Sequence, residues 1–170
     1  MRRIIGAGAV ARRVAELARE ISAHYGGERI LCVGVLKGAC LFLADLARRI
    51  APEPEIDFVK LSSYGSGTRP GESLRFELDV SAPIAGRQVL LVEDIVDTGR
   101  SARFLLDRFA ERNPAGLKLC AFLDKQERRE VQVAVDFSGF ALAKGFVVGY
   151  GMDFAERYRM RNAVFEILQP

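Results

Sequence analysis

Tryptophan is missing from this 170-residue chain, histidine occurs once and cysteine three times, and these scarcities exclude several kinds of site. The cysteines, at positions 32, 40 and 120, are odd in number and form no CxxC pair. We therefore expect buried reduced thiols rather than a disulfide framework or a zinc site. His24, the only histidine, lies at the end of a helical pattern, so we expect it at the surface without a catalytic role.

Long apolar runs and blocks of like charge are also missing. No apolar segment approaches the roughly 20 residues of a membrane span, and the N-terminus has no signal-peptide cleavage pattern. The 25 basic and 22 acidic side chains give a net charge of +3 and are scattered along the chain. We therefore expect one cytoplasmic domain over residues 1–170, with anionic ligands and without nucleic-acid or membrane partners.

Helical and strand patterns alternate along the chain, which is typical of strand–helix–strand construction. Apolar residues at helical spacing predict helices that start near Val10, Phe42 and Ala102, and the second should reach Ile50. Short apolar or alternating runs predict strands at residues 30–35, 56–61, 74–80, 89–92, 117–123, 132–135, 146–148 and 163–168. The predicted fold class is α/β, with a mainly parallel central sheet flanked by helices.

The stretch VLLVEDIVDTGRSA, residues 89–102, is the most informative part of the chain. Its apolar start predicts a strand that is covered on both faces. Glu93 and Asp94 follow where that strand should end, at the sheet edge where α/β proteins bind ligands. Asp97 then precedes a turn that opens a helix, and the turn consists of Thr98, Gly99, Arg100 and Ser101.

The physical chemistry of this turn favours a phosphate. Backbone N–H groups at a helix start lack partners, the helix dipole adds positive charge there, and two hydroxyls lie nearby. Neither GxxxxGK[ST] nor a GxGxxG after a strand is present, so the common nucleotide loops are excluded. The adjacent carboxylates suit a ribose diol, which predicts a sugar phosphate. An ordinary strand-to-helix junction capped by Asp or Thr is the alternative.

This stretch resembles the phosphoribosyl pyrophosphate (PRPP) signature of the type I phosphoribosyltransferases, whose fold adds a small hood to the central sheet. The resemblance implies that the acids bind the ribose and that the turn binds the 5′-phosphate. A second turn, Leu36-Lys37-Gly38, opens the next predicted helix and also suits an anion. In the hypoxanthine-guanine branch of the family the matching loop binds pyrophosphate and contains a non-proline cis peptide, which implies a cis bond between Leu36 and Lys37.

Residues 62–71 form a glycine-rich loop that is long for so short a chain, and such loops are often lids. A lid would shield the reacting ribose carbon from water. The family carries a Ser-Tyr pair in its mobile catalytic loop, and Ser63 and Tyr64 match it. A merely flexible hairpin loop is the alternative.

The C-terminal third predicts the acceptor. Lys125 follows a strand end, where its ammonium could donate to the 6-oxo group of an oxopurine and so reject adenine. Phe146 offers a ring for stacking, and Val147 offers backbone groups to the purine edge. Asp153 suits Mg²⁺, with Glu93 and Asp94 as further carboxylate ligands. Arg159 can reach pyrophosphate oxygens.

Two C-terminal segments, residues 124–129 (DKQERR) and 145–159 (GFVVGYGMDFAERYR), resemble the purine-binding and C-terminal signatures of the hypoxanthine-guanine branch. The resemblance extends from about Val10 to the end of the chain. It implies transfer of phosphoribose from PRPP to a 6-oxopurine, with Asp97 as general base, and a homodimer or homotetramer. Gln126 and Glu127 depart from many relatives, so the preference among hypoxanthine, guanine and xanthine stays open. A PRPP-binding regulator that binds nucleic acid is the alternative from another class, but the chain shows no continuous basic face for it.

Overall fold

The computed structural model describes residues 1–64 and 73–168 and arranges them as strands and helices in alternation. In chain order the elements are β1 (Arg2–Ile5), α1 (Ala7–Tyr25), β2 (Leu31–Val35), α2 (Cys40–Ala47), β3 (Glu55–Tyr64), β4 (Ser73–Leu78), β5 (Gln88–Val96), α3 (Arg100–Ala110), β6 (Gly116–Lys125), β7 (Phe137–Leu142), β8 (Phe146–Val148) and β9 (Val164–Ile167).

A six-stranded sheet in the order β4-β3-β2-β5-β6-β7 forms the centre of the described chain. The pairs β2–β3, β2–β5, β5–β6 and β6–β7 are parallel, and only the β3–β4 pair within this sheet is antiparallel. The predicted α/β class with a mainly parallel sheet is therefore confirmed. Because parallel strands end on one edge, the carboxyl ends of β2, β5 and β6 come together.

Apolar side chains cover both faces of this sheet. On β2, Cys32 faces the cluster that contains α1 and α2, whereas Leu31 and Val33 face the cluster that contains α3. Phe42 and Phe109 are fully buried anchors on the two sides. Burying each such side chain stabilises the fold by about 1.5–3 kcal/mol. The continuous apolar runs of β2 and β5 follow from this burial on both faces.

A second, three-stranded antiparallel sheet in the order β1-β9-β8 joins the two ends of the described chain. It corresponds to the small hood that the resemblance implies. The sequence patterns did not predict β1, whose four residues RRII become a strand through pairing with β9. The edge strand β8 carries Phe146 and Val147.

The β7 edge of the central sheet is partly covered by α1, which packs beside it. The Arg13 guanidinium donates hydrogen bonds to the carbonyl oxygens of Ser138 and Gly139, at 2.8 and 2.9 Å. Glu16 and Glu20 pair with the same guanidinium. Two backbone acceptors of the edge strand are thereby satisfied.

Several sequence predictions were wrong. The strand β5 continues to Val96, pairing there with Asp124 of β6, so Glu93 and Asp94 lie within the strand and not after it. Residues 132–135 form no strand, and the strand in this region is β7 instead. The helix α2 ends at Ala47, short of Ile50.

The cysteine and histidine predictions held in most respects. Cys32 and Cys120 are buried, and burial raises the pKa of both thiols. Cys40 is exposed, contrary to the prediction, because it begins α2 on the solvent side. His24 is exposed in the last turn of α1, as predicted. Within the described residues, no helix is long and apolar enough to cross a membrane.

Candidate active site

A cavity of about 480 Å³ opens between the carboxyl ends of β5 and β6 and the small sheet. It brings together six residues that the sequence singled out: Asp94, Asp97, Lys125, Phe146, Val147 and Asp153. They come from four separate segments of the chain. The sheet edge and the small sheet therefore form one concave site.

The turn after β5 has the geometry of an anion cradle. Gly99 caps α3 at φ 83°, and the first amides of the helix have no acceptor within the helix. The Arg100 N–H makes only a long hydrogen bond to Thr98 Oγ1, at 3.4 Å. A recess of about 100 Å³ beside them is lined by Thr98, Gly99 and Ser101. A Cβ at position 99 would lie 2.2 Å from the Val131 carbonyl oxygen, so only glycine fits here. Arg100 belongs to the turn, but its side chain pairs with Glu130 at 2.6 Å.

Of the two acids at the end of β5, Glu93 is buried, whereas Asp94 is partly buried and lines the cavity. Glu93 is only 5% exposed, and its burial raises its pKa well above the usual range, with a further contribution from the Asp94 charge. Burial also raises the pKa of Asp94 to about 6, although backbone hydrogen bonds and the charge of Arg159 act in the opposite direction. These carboxyl groups are therefore sensitive to any positive charge that enters the site.

Asp97 and Lys125 form an ion pair in the lining of the cavity. Lys125 is 5% exposed, and its ammonium nitrogen lies 3.5 Å from Asp97 Oδ1 and 3.6 Å from Glu127 Oε2. Arg128 lies 3.6 Å from the other Asp97 oxygen. Yet Asp97 Oδ1 is buried without a hydrogen-bond partner among the described residues. The Lys125 ammonium is therefore the cation that faces this oxygen.

The small sheet supplies an apolar wall. The Phe146 ring is 40% exposed and meets the Phe154 ring edge-on at 5.6 Å between centroids, which leaves a face for stacking. Val147 is buried and pairs with Glu166 of β9. Because β8 is an edge strand, its alternate backbone groups point away from β9.

The second anion turn packs against the acids. The peptide between Leu36 and Lys37 is cis, as predicted. A Cβ on Gly38 would lie 1.9 Å from Asp94 Oδ2, and a Cβ on Gly151 would lie 1.9 Å from the Gly38 carbonyl oxygen. Three chain segments therefore meet at Gly38 with no room for a side chain.

Arg159 joins this arrangement from the C-terminal segment. Its guanidinium donates to the Gly151 carbonyl oxygen at 2.7 Å and pairs with Asp153 Oδ1 at 2.9 Å. Glu156 lies 3.4 Å from Arg159 and 3.1 Å from the Lys37 ammonium, and this contact with Lys37 lowers the pKa of Glu156. The predicted pyrophosphate ligands Lys37, Gly38 and Arg159 thus lie together.

Arg129 was missed by sequence reasoning, which gave it no role. Its side chain is 4% exposed and donates to the carbonyl oxygens of Val96, Asp97 and Lys125 at 3.1, 3.0 and 3.1 Å. It also pairs with Asp124 at 2.5 Å. One guanidinium therefore binds the ends of β5 and β6 together directly behind Asp97 and Lys125. No periodic pattern marks such a residue, and a run of charges gives no sign that one member is buried.

The predicted lid cannot be placed. The loop was predicted to begin at residue 62, but pairing with β4 carries β3 to Tyr64, so Ser63 and Tyr64 lie in a strand opposite Leu74 and Ser73. The side chains of Ser63 and Tyr64, and residues 65–72, lie outside the described part of the chain.

A metal ion could be held here only together with a ligand. Within residues 1–64 and 73–168, no three Asp, Glu, His or Cys side chains form a metal-binding group. One Asp153 oxygen pairs with Arg159 and the other accepts the Glu156 N–H at 2.8 Å. Mg²⁺ nevertheless binds through one or two carboxylates together with phosphate oxygens and water. Asp94 and Asp153 line the cavity and fit an ion of that kind, whereas Glu93 lines the recess beside the phosphate turn and not this cavity.

The chain is similar to known proteins in sequence and in fold. The model of the phosphoribosyl transferase domain matches residues 4–155. The hypoxanthine phosphoribosyltransferase of Escherichia coli (strain K12) is 43% identical over 149 residues, which are 86% of this chain and 84% of that protein. A crystal structure of a hypoxanthine-guanine phosphoribosyltransferase from Bacillus anthracis has a TM-score of 0.93 and 38% identity, covering 99% of both chains.

Other relatives are longer. The bifunctional protein TilS/HprT of Listeria innocua is 45% identical over 147 residues, which are 86% of this chain but only 23% of that protein. The chain thus spans about a quarter of the length of that relative.

Proposed function

Since this chain belongs to the phosphoribosyl transferase family, we propose that it transfers the 5-phosphoribosyl group of PRPP to N9 of hypoxanthine or guanine. The products are IMP or GMP and pyrophosphate, so the reaction is a step of purine salvage. The observation that carries this proposal is the pair Asp97 and Lys125, 3.5 Å apart in one cavity beside the phosphate turn. That pair offers an acceptor and a donor to a single flat base.

PRPP would be bound at three points. The amides and hydroxyls of the turn from Thr98 to Ser101 hold the 5′-phosphate at the start of α3. Glu93 and Asp94 accept hydrogen bonds from the ribose hydroxyls. Lys37, Gly38 and Arg159 hold the pyrophosphate, the first and last as cations and Gly38 through its backbone.

The transfer itself exchanges one bond at the ribose carbon C1′ for another. The bond from C1′ to the pyrophosphate oxygen breaks, and its electron pair leaves with pyrophosphate. N9 of the base donates its own pair to C1′, while Asp97 accepts the proton from N7. The nearby carboxylates stabilise the positive charge that develops on the sugar. Ser63 and Tyr64 are proposed to help close the site against water.

Mg²⁺ is the proposed cofactor, and when bound it would supply positive charge to the leaving pyrophosphate. Asp94 and Asp153 would hold it, together with phosphate oxygens and water. Positive charge beside Asp94 would also lower the pKa of that carboxyl group, because an opposite charge favours the ionised form.

The base would be selected by hydrogen-bond matching. Lys125 donates to the 6-oxo group, and an adenine amino group in that position would face another donor. Phe146 stacks on the ring, and the backbone of Val147 reads its edge. Glu127 contacts both Lys125 and the Gly145 N–H, so it can set the position of the lysine.

The test is PRPP- and Mg²⁺-dependent nucleotide formation with hypoxanthine, guanine, xanthine and adenine in parallel. Product from hypoxanthine or guanine and none from adenine is expected. A preference for xanthine would revise the base assignment, and binding of PRPP without product from any base would refute the enzymatic role. We further propose that residues 1–170 form one domain and that the protein is a homodimer or homotetramer, which light scattering would measure.

A further inference from the structure

Glu156 occupies a position that the proposed reaction does not explain. Its carboxylate lies 3.1 Å from the Lys37 ammonium and 3.4 Å from the Arg159 guanidinium. These are the two cations assigned to pyrophosphate. Lys37 and Glu156 are 119 positions apart in the chain. One carboxylate therefore bridges both sides of the pyrophosphate site.

The backbone holds Glu156 in this position. Its N–H donates to Asp153 Oδ2 at 2.8 Å. Ala155 and Glu156 both have positive φ angles, 52° and 58°, which few residues other than glycine adopt. The turn that carries Asp153 and Arg159 thus also presents Glu156 to Lys37.

The ion pair is nevertheless weak enough to exchange. The Glu156 side chain is 66% exposed and the Lys37 side chain 55% exposed, so water screens their attraction. A pyrophosphate group carries several negative charges and more acceptor oxygens than one carboxylate does. It would therefore displace Glu156 from the same donors, and the displaced carboxylate could return when pyrophosphate leaves.

We propose that Glu156 is an internal competitor for the pyrophosphate group, with its carboxylate bound by the Lys37 and Arg159 donors that PRPP or pyrophosphate would take. This inference rests on the proposed function, because that function assigns the two cations. Competition of this kind weakens the binding of pyrophosphate and speeds its release. Glu156 would then act on the release of product and not on the bond exchange at the sugar.

The experiment is to measure the dissociation constant of magnesium pyrophosphate by calorimetry for the unaltered protein, Glu156→Gln and Glu111→Gln. Glutamine keeps the shape of Glu156 and removes its charge. Glu111 is a matched control, since it is 62% exposed and pairs with an arginine three residues away, at the far end of α3. We expect Glu156→Gln to bind pyrophosphate roughly two- to fivefold more tightly, the range of an exposed ion pair. Glu111→Gln should bind as the unaltered protein does.

Unchanged or weaker binding by Glu156→Gln would overturn the proposal, because a residue that merely supports its neighbours gives no gain in affinity when it is replaced. A melting curve shows that the variant is folded. A second check compares the double variant Lys37→Met with Glu156→Gln to Lys37→Met alone. The gain in pyrophosphate affinity caused by Glu156→Gln should be smaller once Lys37 is absent. If the unaltered protein binds no pyrophosphate and forms no nucleotide, the proposed function itself has failed, which is a different result.

Discussion

Replacing Arg129 with methionine is expected to destabilise the fold and to slow the reaction together. The change removes the donors to three carbonyl oxygens and leaves the Asp124 carboxylate without its cation. Breaking a buried ion pair from one side costs about 3–5 kcal/mol. Asp124 is 20% exposed, so water recovers part of that loss, and we expect the free energy of unfolding to fall by about 2–4 kcal/mol.

The measurement is urea unfolding followed by circular dichroism, with Arg103→Met as the matched control. Arg103 also donates to a backbone carbonyl, that of Gln132, but its side chain is 45% exposed. Its replacement should cost less than about 1 kcal/mol. A loss of 2–4 kcal/mol corresponds to a fall in Tm of roughly 5–15 °C for a chain of this size.

The activity of the Arg129 variant is measured well below its Tm, where the protein is folded. A lower kcat is expected there, because the carbonyls of Asp97 and Lys125 are no longer fixed by a common donor. The double variant Arg129→Met with Asp124→Leu should recover part of the stability, since no carboxylate is then left without a partner. Equal losses in the Arg129 and Arg103 variants would show that the buried guanidinium does not hold the strand ends together.

Three further predictions concern the same site. Asp97→Asn should lower kcat by about 10²- to 10⁴-fold and leave the KM for PRPP nearly unchanged; steady-state kinetics decide, and equal losses in both would remove the general-base role. Because burial raises the pKa of Asp94 from 3.8 to about 6, the folded protein holds this proton more tightly than the unfolded chain does. The Asp94 contribution to stability is therefore present at acid pH and lost as the pH rises to about 6. The free energy of unfolding in urea should depend less on pH over that range for Asp94→Asn than for the unaltered protein. Gly151→Ala should raise the KM for PRPP strongly, because the new Cβ would lie 1.9 Å from the Gly38 carbonyl oxygen. Gly86→Ala is its control, since Gly86 also has a positive φ but no atom within 4 Å of an added Cβ; similar losses in both would point to backbone strain and not to the close approach.

The sequence predicted the parts of the fold whose burial leaves a periodic pattern. The runs in β2 and β5 are apolar because both faces of the sheet are covered, and the stripe of α1 ends at Gly26 in a left-handed conformation. The end of β5 was predicted too early, since Glu93 and Asp94 interrupt the apolar run. Pairing with β6 nevertheless carries the strand to Val96.

Other features depend on contacts between distant segments and leave no local pattern. The strand β7 contains Gly139, which disfavours a strand by itself but is required because a Cβ there would lie 2.3 Å from the Phe122 carbonyl oxygen. Residues 132–135 alternate like a strand, yet the segment before them is bound to the phosphate turn, where Val131 and Glu130 donate to the Thr98 carbonyl oxygen. The site residues were identified through motif resemblance, whereas the resemblance assigned no role to Arg129, whose position is defined only by three-dimensional contacts.

The contact of Arg13 with β7 has a consequence for the behaviour of the protein at high concentration. An edge strand with open backbone groups can pair with a strand of another molecule and start aggregation. Arg13 already binds the carbonyl oxygens of Ser138 and Gly139, and two glutamates hold the arginine in place. A strand of another molecule would have to displace the Arg13 side chain, which two ion pairs hold in place, before it could pair with β7. The helix α1 thus protects the chain against self-association through β-pairing, at the edge of the sheet farthest from β4.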